Sequence, residues 1–477
     1  MPNASGVQEC FTRWEEEKSL KIVSTRMRLA LTVLVASMMC SSGYALADPS
    51  SSSSSADPTA QEQQQKIDSL TQQIEQMKKE KAGLEAKLAA TQAKVPAAAP
   101  TPAPPLTTPS VTGPLTMASP NPIDLGNLGI PGLNDMAPPI RDLFKFDANA
   151  VVSGIGIVQS HAVDGDRSSR ADASNAELIL QKPDGLIQYY LQVGAYSIPA
   201  LGAQYVSSGN AVNRLYGPLP AAFLKIAPTD SFSIMAGNLP TLIGAEYTFT
   251  FENVNVERGL LWNQENAINR GVQVNYSKGP IAASLSWNNG FYSKSYTWLT
   301  GSLAYTINSS NSISAIGGQN LGFSRFSNFA TPVDQNNGGI YNLIYTYNAA
   351  PWILQPYFQW TYVPHNSNIG VSKSTSTLGG AVLASYQLSE HFFLAARGEY
   401  IESTGDTTDG AANLLSYGPG SSAYSLTLTP TYQYKQFFVR PEVSYVQALS
   451  YVRGDVFGNH GSEASQVRGV LEFGLLL

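Results

Sequence analysis

The sequence is poor in cysteine, in charge and in long apolar runs, and each shortage excludes a class of protein. Only 13% of the 477 residues are charged, about half the usual share of a soluble enzyme. No apolar run of about 20 residues follows Ala47, which excludes a bundle of membrane-spanning helices. The net charge is −6 and no Lys/Arg-rich block exists, so nucleic acid is not an expected partner. The four histidines, His161, His365, His391 and His460, are far apart, and there is no HExxH, P-loop or GxSxG pattern. No catalytic residue, metal site or cofactor is therefore predicted, and an enzyme is not the expected reading. What is present is 43% hydrophobic residues, 10% aromatics led by 24 Tyr, 40 Gly and 29 Pro. Apolar content without apolar runs points to a membrane β-barrel.

The amino-terminal third reads as address and tether. Leu29 to Ala47 is a short apolar stretch behind Lys21, Arg26 and Arg28, ending in Ala45-Leu46-Ala47. These are the marks of a cleaved secretory signal over residues 1–47, with cleavage expected before Asp48. Residues 1–26 are an odd leader, and translation from Met27 is an alternative; an uncleaved inner-membrane anchor is another. Both cysteines, Cys10 and Cys40, lie upstream of the cut, so the mature chain is expected to hold no disulfide.

Residues 48–65 are Ser/Gln-rich and too polar to order themselves. From 66 to 95 apolar residues recur in steps of three and four: Ile67, Leu70, Ile74, Met77, Leu84, Leu88 and Val95, with Lys81 and Thr91 as polar intrusions. That is a heptad seam, which predicts a coiled-coil helix of about 43 Å and an oligomer, with the strand number left open. Residues 96–141, rich in Pro and Ala, predict an extended linker.

Beyond Phe144 the pattern changes to alternation with a period of two. Thr427, Thr429, Thr431 and Gln433 alternate with Leu426, Leu428, Pro430 and Tyr432, as they would in a strand with one face in lipid and the other in water. Sixteen such segments can be counted: 144–159, 173–182, 184–197, 215–227, 231–240, 268–277, 280–289, 297–307, 311–319, 338–347, 351–362, 376–387, 391–402, 423–434, 436–447 and 466–477. Every second connection is tight, as at Lys182-Pro183-Asp184-Gly185. The fold class expected is all-β, a 16-stranded antiparallel transmembrane barrel over 142–477, preceded by a periplasmic coiled-coil helix and a Pro-rich linker. Pro356, Pro430 and Pro441 predict bulges, because a closed barrel offers no free edge for a missing N–H. Trp298 falls on the opposite parity from the other girdle tryptophans.

Gly237-Asn238-Leu239-Pro240, Gly244-Ala245-Glu246-Tyr247, the run Glu257-Arg258-Gly259-Leu260-Leu261-Trp262-Asn263-Gln264-Glu265, and the tail Thr429-Pro430-Thr431-Tyr432-Gln433-Tyr434 with Phe437-Phe438-Val439-Arg440-Pro441-Glu442 carry a resemblance. Over about Phe144 to Leu477 the sequence resembles the OmpL-like β-barrel porins. The resemblance implies an outer-membrane barrel of porin type and supplies no established functional residue. In layout, the heptads and linker are similar to the preface of trimeric porins with an amino-terminal periplasmic coiled coil. Leu477 stands where such barrels commonly end in Phe.

Parity places Lys145, Arg397, Arg440 and Arg468 toward the lumen on the first, thirteenth, fifteenth and sixteenth segments, one arc of a closed wall. Glu399, Glu442 and Glu472 share that face, so mutual ion pairing is the plain alternative to a selectivity role. The third long connection, about 241–267, carries Glu246, Glu252, Glu257 and Glu265 among Tyr247, Phe249, Phe251, Leu260, Leu261 and Trp262. In sixteen-stranded porins the third loop folds inward, and the resemblance implies the same here. An acidic loop facing a basic arc predicts a constriction with a transverse field.

The reading is an outer-membrane porin, passing small hydrophilic solutes by passive diffusion through a water-filled channel narrowed by the third loop. Its expected partners are outer-membrane lipid, small hydrophilic solutes and two further copies of the chain in a homotrimer, with the amino-terminal segment in the periplasm. One alternative is an anchor or adhesin that tethers the periplasmic cell wall through the coiled coil, with a closed barrel. Another is an outer-membrane hydrolase.

Overall fold

The computed structural model describes residues 146–477, the pair Ile123–Asp124 and scattered positions between Asp68 and Gly83. It divides into a unit of residues 1–106 and a unit of residues 107–477. In the first, the described positions are helical and exposed, and Glu75 pairs with Lys78 at 2.7 Å. The seam residues Ile67, Leu70, Ile74, Met77, Leu84, Leu88 and Val95 lie outside the described residues, as do the secretory signal and Lys145.

In the second unit, sixteen strands follow one another around a closed wall: β1 (Asp147–Gln159), β2 (Ser169–Lys182), β3 (Ile187–Tyr196), β4 (Ala221–Thr229), β5 (Phe232–Pro240), β6 (Ile268–Lys278), β7 (Ile281–Asn288), β8 (Trp298–Asn308), β9 (Asn311–Asn320), β10 (Gly339–Ala349), β11 (Trp352–Val363), β12 (Thr375–Gln387), β13 (Phe392–Ser403), β14 (Ser422–Tyr434), β15 (Phe437–Ser450) and β16 (Ser465–Leu476). Each pairs antiparallel with the next. β16 returns to β1, with Glu472 opposite Ile155, so the sixteen-strand wall closes on itself. Ile123–Asp124, inside the stretch expected as linker, pair with Ala148 and Asp147 at the start of β1.

The alternation seen in the sequence is the division between the two faces. On β14, Leu426 and Leu428 are exposed on the outside, while Thr427 and Thr429 are buried inside. Trp287, Trp352 and Trp360 stand on the outer surface, where Trp360 stacks on Tyr341 at 5.2 Å. A wall with this many exposed apolar side chains is satisfied in lipid, not in water. Connections alternate as well. Residues 230–231, 279–280, 309–310 and 435–436 are two-residue turns at one end. Long loops at the other end cover 160–168, 197–220, 241–267, 289–297, 321–338, 364–374, 404–421 and 451–464. Long loops mark the extracellular side of such barrels.

Strand boundaries depart from the sequence reading where side-chain pattern and backbone diverge. β2 begins four residues early, because a bulge opposite Ser153/Gly154 buries both Ser174 and Asn175 and breaks the alternation. β4 begins at Ala221, not 215, since Ala211–Leu215 form a π-helical turn. The bulges expected at the prolines are absent. Leu428 faces Val443 and Tyr432 faces Val439 in one unbroken register. Pro430 and Pro441 therefore stand opposite each other, and their two missing N–H groups share one gap in the ladder. Pro356 likewise leaves the β10–β11 register unchanged.

Trp298 points inward and is buried, its indole donating to the Asn336 carbonyl at 2.8 Å and its ring edge-on to Phe291. It is a core residue, and that is why its parity differs from the girdle.

Candidate functional site

Charge is distributed very unevenly around the wall. Strands β7 to β12 contain no Asp, Glu, Lys or Arg at all. Their inward faces carry Ser284, Ser286, Thr300, Ser302, Ser314, Asn342, Gln355 and Gln359, uncharged hydrogen-bonding groups. Most of the buried wall charges cluster across the lumen, Arg397 and Glu399 on β13, Arg440 and Glu442 on β15, Arg468 and Glu472 on β16, with Glu177 and Lys182 on β2 besides.

The third loop, residues 241–267, leaves β5, crosses the interior and docks on that charged arc. Glu246 pairs with Arg397 at 2.6 Å, and Arg397 also lies 3.2 Å from Glu399. Glu257 pairs with Arg468 at 2.6 Å. The Arg440 Nε donates to Glu472 at 3.0 Å while its two terminal nitrogens donate to the Asn253 and Thr250 carbonyls of the loop at 2.6 and 2.8 Å. The wall carboxylates accept loop N–H groups in return. Glu442 accepts from Val256 at 2.6 Å and Glu257 at 2.9 Å, and Glu399 from Leu260 at 3.0 Å. Here the loop backbone takes the place of water for side chains that leave solvent entirely.

Burial makes these contacts matter. Arg397, Arg440, Arg468, Glu246 and Glu257 are at most 3% exposed. The charges meet as direct pairs, without an open gap between loop and arc. A buried pair gains little over an apolar isostere, because desolvation offsets the attraction, yet losing one partner strands the other. The arrangement fixes where the loop sits more than how stable the barrel is.

Two glycines let the loop approach. A Cβ on Gly259 would strike the Glu399 carboxylate, and one on Gly244, at φ +84°, would strike that of Glu265. Glu265 is buried and neither of its oxygens has a hydrogen-bond partner. Burial, with Glu246 and Glu399 nearby, holds its carboxyl well above the usual range. Glu252 is pushed up to about 7 by burial. It lines a cavity of about 230 Å³ between the loop and β3–β4, together with Tyr190, Gln192, Phe223, Thr248 and Glu246.

Around the loop the interior is apolar toward the long-loop end. Leu201, Ile243, Leu260, Leu261, Phe291, Tyr417 and Phe457 come inward from five loops and pack against Trp298, Ile316, Ile344 and Leu383 of the wall.

Arg258, not singled out from sequence as a site residue, is fully buried within the loop. It donates to the Pro199 carbonyl at 3.3 Å, to that of Val256 at 3.2 Å and to that of Thr248, over the Trp262 ring. Burial lowers its guanidinium to about 10. The role of Glu399 and Glu442 as acceptors for the loop had a signal in the sequence, the repeated Arg-x-Glu of Arg397-Gly398-Glu399 and Arg440-Pro441-Glu442. Among the described residues no cluster is arranged to hold a metal ion.

Residues 145–477 match the family described as "Putative beta-barrel porin-2, OmpL-like". The chain belongs to this family. The OmpL-like barrel is accordingly an outer-membrane, porin-type transmembrane β-barrel. Two solved outer-membrane proteins are similar to the chain at low identity. A Salmonella typhi OmpF in complex with daunomycin is 14% identical, with 70% of this chain and 98% of that chain covered and a TM-score of 0.48. A loop-deletion mutant of the outer-membrane protein OmpT of Vibrio cholerae is 11% identical, covering 70% and 99%, with a TM-score of 0.46. Those values carry no residue roles over to the OmpL-like chain. No curated protein matches it.

Proposed function

We propose that this barrel is a passive-diffusion porin for small hydrophilic solutes, narrowed by its third loop. The observation that carries the reading is the docking of residues 241–267 on the β13–β16 arc by buried ion pairs. The loop narrows the lumen from that arc toward the facing wall, where Gly244 donates to Asn342 at 3.1 Å and the Leu261 carbonyl accepts from Gln359 at 2.8 Å; beside it β7 to β12 offer uncharged polar groups to a hydrated solute. Family membership supports the same reading.

The narrowing is assigned to Glu246, Glu252, Glu257 and Glu265 with Arg397, Arg440 and Arg468, and Lys145 belongs to the same proposal from sequence alone. In it the Arg residues position the loop, while Glu246 and Glu252, which line the cavity, meet the solute. A homotrimer assembled through the barrel walls and the residue 66–95 heptads, with the amino-terminal segment in the periplasm, completes the reading. No reaction and no cofactor enter it.

A second reading, a closed barrel anchoring a periplasmic tether, draws on the apolar cluster that five loops build inside the barrel. Single-channel conductance of the purified full chain in a planar bilayer, under a salt gradient, decides between them. Stepwise openings with ion selectivity are expected of the porin. Silence from folded, heat-modifiable protein would overturn it in favour of the tether.

A further inference from the structure

The outer mouth of the barrel is electrically polarised. Loops 197–220, 289–297 and 321–338 carry Arg214, Lys294 and Arg325 against a single acid, Asp334. Loops 160–168, 404–421 and 451–464 across the mouth carry Asp164, Asp166, Asp406, Asp409, Asp455 and Glu463 against Arg167 and Arg453. On the basic side every cation is laid on an aromatic ring. Arg214 lies 4.5 Å from the Phe329 centroid, Lys294 4.8 Å from Phe326 and Arg325 5.8 Å from Phe323. All three cations are exposed.

A groove of about 450 Å³ opens on the lipid-facing side of the wall, lined by Gly237, Asn238, Arg270, Val272, Trp287 and Tyr296. Arg270 is its only charge. It shares the outward parity of Val272 and Val274 and is exposed. Its guanidinium lies 4.0 Å from the Tyr292 centroid, Nη2 donates to the Tyr292 hydroxyl at 2.6 Å, and it makes no ion pair among the described residues. Trp287, 64% exposed, is held by its indole N–H on the Tyr296 carbonyl at 2.8 Å.

A cation on the lipid face is tolerated near the interface and costs more toward the bilayer midplane. Here it is fixed by an aromatic ring and floored by Val272, with its remaining donors free. A guanidinium presented in this way matches a phosphate, and the groove beside it matches an acyl chain. We propose that the β5–β7 groove, with Arg270 as its charge, binds the phosphorylated headgroup of a glycolipid in the outer leaflet. The lipid is favoured over a soluble phosphate because Arg270 and Trp287 face the membrane and not the lumen.

The test is native mass spectrometry of the detergent-purified full chain, titrated with bisphosphorylated lipid A and, separately, with its dephosphorylated form. The phosphorylated lipid is expected to bind at least tenfold more tightly. Arg270→Gln is expected to remove about that factor, a loss of about 1.4 kcal/mol. Arg270→Lys retains part of the binding, and Lys278→Gln, at the opposite end of β6, changes nothing. Heat-modifiable mobility verifies folding of each variant. Equal binding of the two lipids, or unchanged binding by folded Arg270→Gln, would overturn the proposal. Displacement of the lipid by equimolar inorganic phosphate would also overturn it, by assigning the site to a soluble anion.

Discussion

Replacing Arg468 with Gln tests the loop's attachment most directly. Arg468 is 1% exposed and Glu257 fully buried. Among the described residues Arg468 is the one cation within ion-pair distance of that carboxylate, at 2.6 Å, and the Ser444 hydroxyl donates to its other oxygen at 3.1 Å. The substitution leaves the buried Glu257 carboxylate with the Ser444 hydroxyl in place of its cation. Stranding a buried charge costs about 3–5 kcal/mol. At about 1.4 kcal/mol per factor of ten, the lower figure shifts loop docking by roughly a hundredfold toward release.

The barrel wall does not depend on this pair, so the chain should still fold, with a lower midpoint for its heat-induced mobility change and a larger, noisier single-channel conductance. Glu257→Gln in the same chain removes the stranded charge. The double variant should therefore recover most of the loss, giving a coupling energy of at least about 1.5 kcal/mol in the cycle. A double variant no better than Arg468→Gln, with both single variants conducting like the parent, would refute the idea that this pair holds the loop.

Three further outcomes follow from the same geometry. Glu252 lines the cavity and titrates near 7; Glu252→Gln should cut cation preference at pH 8, and the parent should lose that preference as pH falls through 7, read from reversal potentials in a salt gradient. Glu265 is an acid whose folded-state value is raised above 4.5. Its contribution to loop docking is full below about that pH and is lost as pH rises through the raised value. The loop should thus hold more tightly at pH 5 than at pH 8, with lower conductance, and Glu265→Gln should flatten the dependence; a steeper one would contradict the assignment. Gly259→Ala puts a methyl against Glu399 and should lower the free energy of unfolding by about 1–3 kcal/mol, whereas Gly209→Ala, with open space around it, should change nothing.

The barrel was legible because its signal is local. Alternation such as Leu426-Thr427-Leu428-Thr429 records a wall with lipid on one side, and the spacing of turn residues sets the count at sixteen. Both are consequences of a repeat of two along the strand. Where local pattern and backbone part company, as at the β2 bulge, the reading slipped by a few residues. The prolines misled for a related reason: Pro430 and Pro441 belong to different strands, and only the register between them shows that one gap serves both.

The inward face of Arg397, Arg440 and Arg468 is also a matter of parity, and so was available from sequence. What each of them touches was not. Glu257 and Arg468 are 211 positions apart, and their meeting depends on how a loop without periodicity crosses a closed space. The same holds for Trp298, whose inward turn makes sense only beside Phe291 and Asn336. Sequence by itself determined the wall, because each strand's pattern answers to lipid and water. Tertiary structure alone decided what fills the wall, because buried charges and loop backbone find their partners across the barrel, where no repeat along the chain records the pairing.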